Sequence, residues 1–343
     1  MSAFATSVVK VEPNYTAPEI LLQYSQPSGA FSTAATGDAQ VRLGEGDQFV
    51  YIKKLEMRGQ ALAAQSGANV LPSATLVPSL ISIPTYLFQA NATYDFHETA
   101  SMSRWGMDTV QAYRLANRQI IFQQERNAYL YGINASNGEG LINTAGATNA
   151  TLPADSFGNT TFGTYDNGQM AIYLLGLISQ LLSNTYNLGV PQKVVILGPQ
   201  RILRNWLFQG IVQTTSYQRE GAGTAATGQV VQLQGATQGV EIVYNYDDTL
   251  QGKGTGGSTT DMVIITTPEI KRPKTQSRID TNAFASVTPG NLDVNLMYTD
   301  MAAPREWPTP IPGSGALYTL FEKRSTPGWC VRPEGLTLLT GAP

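Results

Sequence analysis

The sequence predicts an α+β fold, in which a long helix and a compact α/β lobe combine with strands from both halves of the chain. The first observation is a helical pattern over residues 103–131 that contains no proline. The second is an alternation of helix and strand patterns between residues 161 and 267. The third is a set of apolar runs of strand length outside these regions. The 343 residues can bury a substantial core, as one large domain or two lobes.

The first 96 residues predict two extended elements. Residues 1–45 are rich in Ser, Thr, Ala, Gly and Pro without sustained periodicity, which indicates an extended arm. Apolar runs at 49–57 and 80–88 flank a small, turn-prone stretch at 59–79, which predicts a projecting hairpin within residues 46–96. Because a two-stranded hairpin alone is marginally stable in water, we expect it to lie across a neighbouring subunit.

The long helix is predicted from a stripe of residues at spacings of three and four: Val110, Tyr113, Ala116 and Ile120. Polar and charged residues mark the wetter sides: Asp108, Arg114, Arg118, Glu125 and Arg126. Over residues 103–131 the helix would be about 44 Å long at about 1.5 Å per residue. Gly132 is expected to end it, because glycine tolerates the left-handed conformation of helix ends. A glycine-spaced turn follows at 138–143. Periodicity alone also allows one long core helix in an unrelated α+β protein.

The lobe at 161–267 begins with a helix that Asp166 caps, with the Gln169 side chain reaching back three positions. Its predicted apolar stripe is Ile172, Leu175, Ile178 and Leu182, and Gly189 with Pro191 should terminate it. A strand at 193–197, a helix at 200–208, strands at 230–233 and 240–246 around a turn at 235–239, and a strand at 262–266 complete the lobe. After it, strands are expected at 292–301, 316–322 and 336–340, separated by a proline-rich segment at 304–312.

Composition limits the function classes. Charged residues make up 14% of the chain, against about 25% in a typical soluble domain. Such a surface fits one that neighbouring subunits cover, and it also fits a sugar-binding β protein. A net charge of −3 argues against a dedicated nucleic-acid binder. One dense basic cluster, for which we expect a solvated or intersubunit role, consists of Lys271, Arg272, Lys274 and Arg278.

No residue pattern predicts a catalytic, cofactor-binding or metal site, so we expect neither an enzyme nor a bound cofactor. Cys330 is the single cysteine, and His97 is the single histidine and has no nucleophile-elbow motif beside it. We expect His97 to cap a helix or to bond between subunits. Residues 252–257 match a dinucleotide-loop spacing but lead into a strand, so they predict a flexible loop. The pair Asp247 and Asp248 could bind a hard cation, but adjacent loop carboxylates are more often solvated.

The order of arm, hairpin, long helix and glycine turn resembles that of HK97-type major capsid proteins, the shell subunits of tailed bacteriophages. The match of motifs is confined to residues 97–143. The resemblance implies an N-terminal arm at 1–45, an extended hairpin at 46–96, a peripheral domain at 97–160 and 268–343 that carries the spine helix, and an axial domain at 161–267. The final strands should return to pack beside the spine helix.

The function that this resemblance implies is structural. Copies would form hexamers and pentamers of an icosahedral shell that encloses double-stranded DNA without sequence-specific binding and without a membrane. Scaffolding, portal and decoration proteins would be further partners, and the protein would be in the virion after assembly in the host cytoplasm. Two alternatives remain. One is an encapsulin-like compartment with protein cargo; the other is a carbohydrate-binding or adhesive β protein, suggested by 16 tyrosines, which would need almost no helix.

Overall fold

A computed structural model describes most of the chain. The described residues are 28–34, 43–58, 75–104, 106, 108–185, 190–191, 193–208, 210–211, 225–237, 239–271, 294–297, 304–313 and 315–343. Most of the predicted arm therefore lies outside them, as do the predicted hairpin tip at 59–74, Gly189, and the basic residues Arg272, Lys274 and Arg278.

The helices, in chain order, are α1 (Phe96–Ser103), α2 (Thr109–Tyr131), α3 (Asn167–Thr185), α4 (Gln200–Phe208) and α5 (Thr227–Thr237). The strands of the first half are β1 (Phe49–Arg58), β2 (Thr75–Pro84), β3 (Tyr86–Tyr94) and β4 (Thr148–Thr151). Those of the lobe are β5 (Val190–Pro191), β6 (Lys193–Gly198), β7 (Gly210–Ile211), β8 (Ala225–Ala226), β9 (Glu241–Tyr246), β10 (Asp261–Thr266) and β11 (Ile270–Lys271). The last strands are β12 (Leu296–Met297), β13 (Arg305–Pro310), β14 (Leu317–Ser325), β15 (Trp329–Cys330) and β16 (Leu336–Gly341).

The centre of the fold is a five-stranded mixed sheet with strand order β4-β16-β10-β6-β9. Its middle strands are buried on both faces, because alternate side chains enter two different apolar clusters. Val263 and Ile265 pack with helices α3, α4 and α5, whereas Met262 and Ile264 pack with the C-terminal end of α2. This explains why the sequence of β10 is continuously apolar rather than alternating.

Two further sheets contain strands β1, β2 and β3 of the first half of the chain. Strands β1 and β2 form an antiparallel hairpin whose register runs from Phe49 opposite Pro84 to Arg58 opposite Thr75. Strands β13, β14 and β3 form an antiparallel sheet in that order, and α2 packs on it through Ile121 and Ala128. The predicted return of the final strands to the long helix is confirmed, since β14 packs against α2 and β16 shares an apolar cluster with its last turn.

The long helix is shorter than predicted. It has 23 residues, about 35 Å at 1.5 Å per residue, and begins at Thr109 instead of residue 103. Asp108 caps it by accepting hydrogen bonds from the backbone N–H groups of Val110 and Gln111, and Gly106 breaks the preceding turn with a φ of 74°. Its predicted end at Gly132 is confirmed, with a φ of 70°.

The buried face of α2 was also mispredicted. Ala116 and Ile120 are exposed, the latter by 53%, and the helix instead buries Asn117 and Ile121. Glu125 and Arg126, predicted to lie on the wetter sides, are 3% and 8% exposed. Because several buried positions of α2 carry polar side chains, a count of apolar residues does not identify its buried face.

In α3 the prediction was partly right. Asp166 does cap the helix, accepting from the Gln169 backbone N–H at 2.9 Å, but the Gln169 side chain binds Ser156 rather than reaching back. Ile178 is buried, Leu175 and Leu182 are half-buried, and Ile172 is 70% exposed. The buried face carries Met170, Leu174, Leu177 and Leu181.

Three strand predictions were wrong. The predicted strand at 230–233 is part of α5, whose Val231 is buried in the core beside α3. The apolar run at 80–88 is divided at Thr85 between β2 and β3. The proline-rich segment contains β13, which tolerates Pro308 and Pro310 because it is an edge strand. The strands predicted at 193–197, 240–246, 262–266, 316–322 and 336–340 are present, whereas only β12 is described within 292–301.

The predicted α+β class is thus observed. The described residues include five α-helices, so a carbohydrate-binding or adhesive β protein, which would need almost no helix, does not fit. No helix among these residues is long and apolar enough to span a bilayer.

Candidate assembly surfaces

The hairpin β1–β2 is anchored at its base and uncovered at its outer half. Val50, Ile52 and Ile83 are buried near the base, where they pack with Leu43 and Val294. Farther out, every residue from 75 to 80 is exposed, including Leu76 by 61% and Leu80 by 59%. Two paired strands with apolar side chains exposed this far have no core of their own. The outer half is therefore a candidate surface for contact with another molecule.

The base of the hairpin is fixed in direction by polar contacts. The Thr85 backbone N–H donates to the Gln48 carbonyl at 3.0 Å, which continues the ladder beyond β1. Arg324 of β14 donates to the Asp47 carbonyl at 3.2 Å and to the Thr85 hydroxyl at 3.1 Å. The hairpin thus leaves the three-stranded sheet in a defined orientation.

Residues 28–34 anchor the point at which the predicted arm reaches the body. Ala30 and Thr33 are fully buried, and the Thr33 hydroxyl lies 2.8 Å from the Tyr129 hydroxyl of α2. The Gly29 backbone N–H donates to the Tyr246 carbonyl at 2.7 Å, beyond the end of the β6–β9 ladder. This segment is therefore clamped between the long helix and the edge strand of the central sheet.

The carboxylate of Asp247 completes this anchor. It accepts from the Ser28 hydroxyl at 2.5 Å and from the Thr249 backbone N–H at 2.9 Å, and the residue is only 1% exposed. The neighbouring Asp248 accepts from the Gln200 backbone N–H at the start of α4, at 2.7 Å. The prediction that this pair is solvated was wrong, because both carboxylates hold backbone and hydroxyl donors in place.

The glycine turn after α2 holds a buried carboxylate. Glu139 is 0% exposed; its two carboxylate oxygens accept from the Tyr86 hydroxyl at 2.9 Å and from the Asn134 backbone N–H at 2.8 Å. Burial of the Tyr86 ring and its bond to Glu139 raise the pKa of this phenol to about 12. Asn143 closes the turn by donating to the carbonyls of Tyr131 and Glu139 at 2.8 and 2.9 Å. The turn therefore links the end of α2 to the first residue of β3.

A second candidate contact point is the exposed side chain of Phe157, which lies on a loop fixed by hydrogen bonds. The Asp155 carboxylate accepts from the backbone N–H groups of Phe157, Asn159 and Asp166 at 2.9, 2.8 and 3.2 Å, and from the Asn159 side-chain amide at 3.0 Å. These bonds fix the loop, and Phe157 is nevertheless 80% exposed. An aromatic ring presented in this way is a second candidate contact point.

His97 is exposed, and the cap of α1 is Asp95, which accepts from the Glu98 backbone N–H at 2.6 Å, so His97 does not cap the helix. The loop at 252–257 leads into β10, and Gly252 donates to the Asp261 carboxylate at 2.9 Å. The Nζ atom of Lys271 lies 3.7 Å from Oε2 of Glu269. Among the described residues, no group of three or more His, Cys, Asp and Glu side chains could hold a metal ion.

Solved phage structures are similar to this protein over nearly its whole length. The capsid of Myoviridae phage XM1 matches with a TM-score of 0.66 and 12% identity, over 96% of each chain. A chain of Mycobacterium phage Adephagia matches with a TM-score of 0.58 and 7% identity, over 99% of this chain and 98% of that chain. The capsid structure of cyanophage P-SCSP1u gives 0.57 and 12%, over 95% and 91%.

No protein-family model matches the sequence, and no curated protein sequence is significantly similar to it. The structural matches share too little sequence to show more than a fold. This protein accordingly has the fold of phage capsid proteins, and the predicted fold is confirmed at that level.

Proposed function

We propose that the protein is the major capsid protein of a tailed bacteriophage. Its copies would assemble into hexamers and pentamers of an icosahedral shell that encloses double-stranded DNA without reading its sequence. The observation that carries this proposal is the likeness to phage capsid chains over 95% or more of this chain. The protein would act by assembly rather than catalysis, in the virion, after assembly in the host cytoplasm. Scaffolding, portal and decoration proteins would be its further partners.

We assign four regions within this proposal. Residues 1–45 form the N-terminal arm, 46–96 the extended hairpin, 97–160 with 268–343 the peripheral domain, and 161–267 the axial domain. The packing of α2 on the sheet of β13, β14 and β3 supports the peripheral assignment. The central sheet contains β4 and β16 of the peripheral ranges beside β6, β9 and β10 of the axial range. The two proposed domains therefore share one sheet and would move little relative to each other.

The surfaces described above support an assembly in which different faces of neighbouring copies meet. A ring of identical subunits needs heterologous contacts, in which one face of each copy meets another face of the next. A hairpin with an uncovered outer half is suited to such a contact, since a neighbour would supply the missing apolar cover. A chain with 14% charged residues also loses little hydration of charges when its surface is covered.

The first experiment is electron microscopy of the purified protein expressed alone, with sedimentation velocity on the same sample. Closed shells, or rings of five or six copies, are the expected result. DNA inside shells isolated from a phage-producing host would support a phage head, whereas protein cargo would indicate an encapsulin-like compartment. A monodisperse monomer at high concentration, with and without a co-expressed scaffolding partner, would contradict the proposal.

A variant tests the role of the hairpin. Leu76→Asp with Leu80→Asp places two charges on the outer half, where burial of unpaired carboxylates is unfavourable. We expect assembly to fall at least about tenfold while the thermal unfolding temperature of the unassembled subunit stays unchanged, because both residues are exposed. Ile172→Asp, at an exposed position of α3 outside the hairpin, separates a general effect of added charge from an effect of the hairpin's outer half.

A further inference from the structure

Two asparagine–glycine pairs occur in this chain, Asn137–Gly138 and Asn167–Gly168. The side-chain amide of an asparagine can react with the backbone nitrogen of the next residue. Glycine hinders this approach least, because it has no Cβ atom. Since the two pairs have the same local chemistry, a difference in their reactivity would come from the fold around them.

The first pair lies at the start of the glycine turn, where the chain is exposed and weakly held. Asn137 is exposed and is the last residue of a three-residue 3₁₀-helix. Two backbone hydrogen bonds close this helix, from Asn137 to the Asn134 carbonyl and from Gly138 to the Ala135 carbonyl, both at 3.1 Å. A single exposed 3₁₀ turn opens at little cost, because its hydrogen bonds have poor geometry and water can replace them.

The surroundings of Gly138 leave room for this approach. Its φ is 74°, and a Cβ atom built there would meet one atom within 4 Å outside its chain neighbours, the Asn143 carbonyl oxygen at 3.7 Å. Once the 3₁₀ turn opens, the Asn137 side chain can therefore rotate toward the Gly138 nitrogen without displacing a packed group.

The second pair lies in the first turn of the 19-residue helix α3. Asp166 holds this turn twice, since its side chain accepts from the Gln169 backbone N–H and its carbonyl from that of Met170, both at 2.9 Å. Met170 is 1% exposed, so opening the turn would also disturb the core. Helical side chains point back toward the N-terminus, which keeps the Asn167 amide away from the Gly168 nitrogen.

We propose that Asn137–Gly138 is a site of spontaneous deamidation, which loosens the glycine turn as the subunit ages. The Gly138 backbone nitrogen attacks Cγ of Asn137 to form a cyclic succinimide, and the side-chain nitrogen leaves as ammonia with the proton of the Gly138 N–H. Water then opens the ring at either carbonyl, which gives aspartate or isoaspartate. The reaction consumes water and releases ammonia, with no oxidant or reductant. It needs only the folded subunit and is independent of the proposed function.

The products would act on the packed half of the same turn. The Glu139 carboxylate accepts from the Asn134 backbone N–H at 2.8 Å, so the reacting bond lies inside a closed loop between these residues. Isoaspartate lengthens that loop, because its peptide bond runs through the side chain. Either product also adds a negative charge to a turn that already contains the buried Glu139 carboxylate. Modified subunits should therefore unfold more readily.

Peptide mass spectrometry measures the reaction. The folded subunit is incubated at mildly alkaline pH in water enriched in oxygen-18, so that each new carboxylate carries the heavy isotope. Asn167–Gly168 in the same sample is the matched control, and the same chain in urea removes the influence of the fold. We expect the folded subunit to gain label at Asn137 at least about tenfold faster than at Asn167, and the two rates to converge in urea.

An unlabelled Asn137, or equal labelling of the two pairs in the folded subunit, would overturn the proposal. The same tenfold ratio in urea would show that the flanking sequence sets the rates, and would overturn the argument from the fold.

Thermal unfolding tests the effect on the turn. Asn137→Gln keeps an amide but suppresses the reaction, because the longer side chain closes a less favourable ring. The aged unsubstituted subunit should unfold at a lower temperature than the fresh one, whereas Asn137→Gln should show no such loss. Equal losses in both proteins would assign the damage to another position. An unchanged unfolding temperature in fully labelled protein would contradict the loosening of the turn.

Discussion

The Nζ atom of Lys323 in β14 lies 3.0 Å from Oε1 and 3.1 Å from Oε2 of Glu125, in the C-terminal half of the long helix α2. The side chains are 14% and 4% exposed, so the pair lies within the interface between α2 and the three-stranded sheet. A buried carboxylate without its cation is unfavourable, because the interior does not solvate it. The packing of helix on sheet therefore includes a buried charge contact.

Removal of the cation alone should destabilise the subunit strongly. We expect Lys323→Met to lower the free energy of unfolding by about 3 kcal/mol, because the buried Glu125 carboxylate loses the Lys323 cation. The double variant Glu125→Leu with Lys323→Met should recover most of this loss. Urea unfolding of the unassembled subunit measures both. Equal losses in the single and double variants would show that the charge contact is not the cause.

A more exposed ion pair on the same helix is the control for this experiment. The Arg118 side chain is 60% exposed, and its guanidinium lies 3.7 Å from a carboxylate oxygen of Glu306. Arg118→Met should cost less than about 1 kcal/mol, as expected for a pair in contact with water.

The same ion pair shows why part of the fold could be predicted from sequence and part could not. The strand at 262–266 and the end of α2 at Gly132 were predictable, since a continuous apolar run and a glycine after a helical pattern are local signals. Glu125 looked solvated because its partner is 198 residues away in the chain. Likewise Val231 lies in a helix because α3 and the central sheet bury it there, which local β-propensity does not encode.

The candidate surfaces divide in the same way. The projecting hairpin was predictable because its two apolar runs surround a turn-prone stretch. The Asp247 anchor was not, because the carboxylate is buried by residues 28–34, which are more than 200 positions earlier in the sequence.

Two glycines of the turn after α2 provide a matched comparison of space and backbone strain. Gly138 and Gly140 have φ values of 74° and 84°, so alanine is strained at both. A Cβ atom at Gly138 would meet its nearest neighbour at 3.7 Å, whereas at Gly140 it would meet the Gly132 backbone nitrogen at 2.3 Å. We expect Gly138→Ala to cost about 1–2 kcal/mol and Gly140→Ala to cost clearly more.

Thermal unfolding of the two unassembled variants distinguishes these contributions. The larger effect of Gly140→Ala should appear as a lower unfolding temperature, or as loss of folded protein in the cells that produce it. Similar unfolding temperatures for both variants would mean that the turn relaxes to admit a Cβ atom, and that Glu139 and Tyr86 are less rigidly placed than the contacts indicate.

The Asp155 loop should make stability depend on pH. Desolvation of the Asp155 carboxyl would raise its pKa, but hydrogen bonds from the Asn159 side chain and from the backbone of Asn159, Asp166 and Phe157 outweigh it and lower the pKa below its usual 3.8. The folded protein therefore binds this proton less tightly than the unfolded chain does. The resulting stabilisation is present above the unfolded pKa and is lost as the pH falls through the lower folded pKa.

We expect Asp155→Asn to lower the unfolding free energy at pH 7 and to have a progressively smaller effect below about pH 4. Denaturant unfolding of both proteins at several pH values between about 7 and 2.5 measures the difference. A difference that stays constant over this range would show that the carboxylate charge has no part in holding the loop.

Cys330 should be chemically silent in the folded protein and reactive once it unfolds. Burial raises the pKa of its thiol to about 12, so the thiolate that reacts with disulfide reagents is scarce at pH 8. The thiol also donates to the Arg332 carbonyl at 3.3 Å, in the apolar cluster that joins β15 to the end of α2.

With Ellman's reagent we expect the native subunit to react at least about 100-fold more slowly than the same chain in urea. Ser79→Cys in the exposed hairpin is the control and should react quickly without denaturant. Because Cys330 packs where the long helix meets the last strands, rapid labelling of it in the folded subunit, at the rate of Ser79→Cys, would mean that this junction opens readily and would contradict the tight packing described for it.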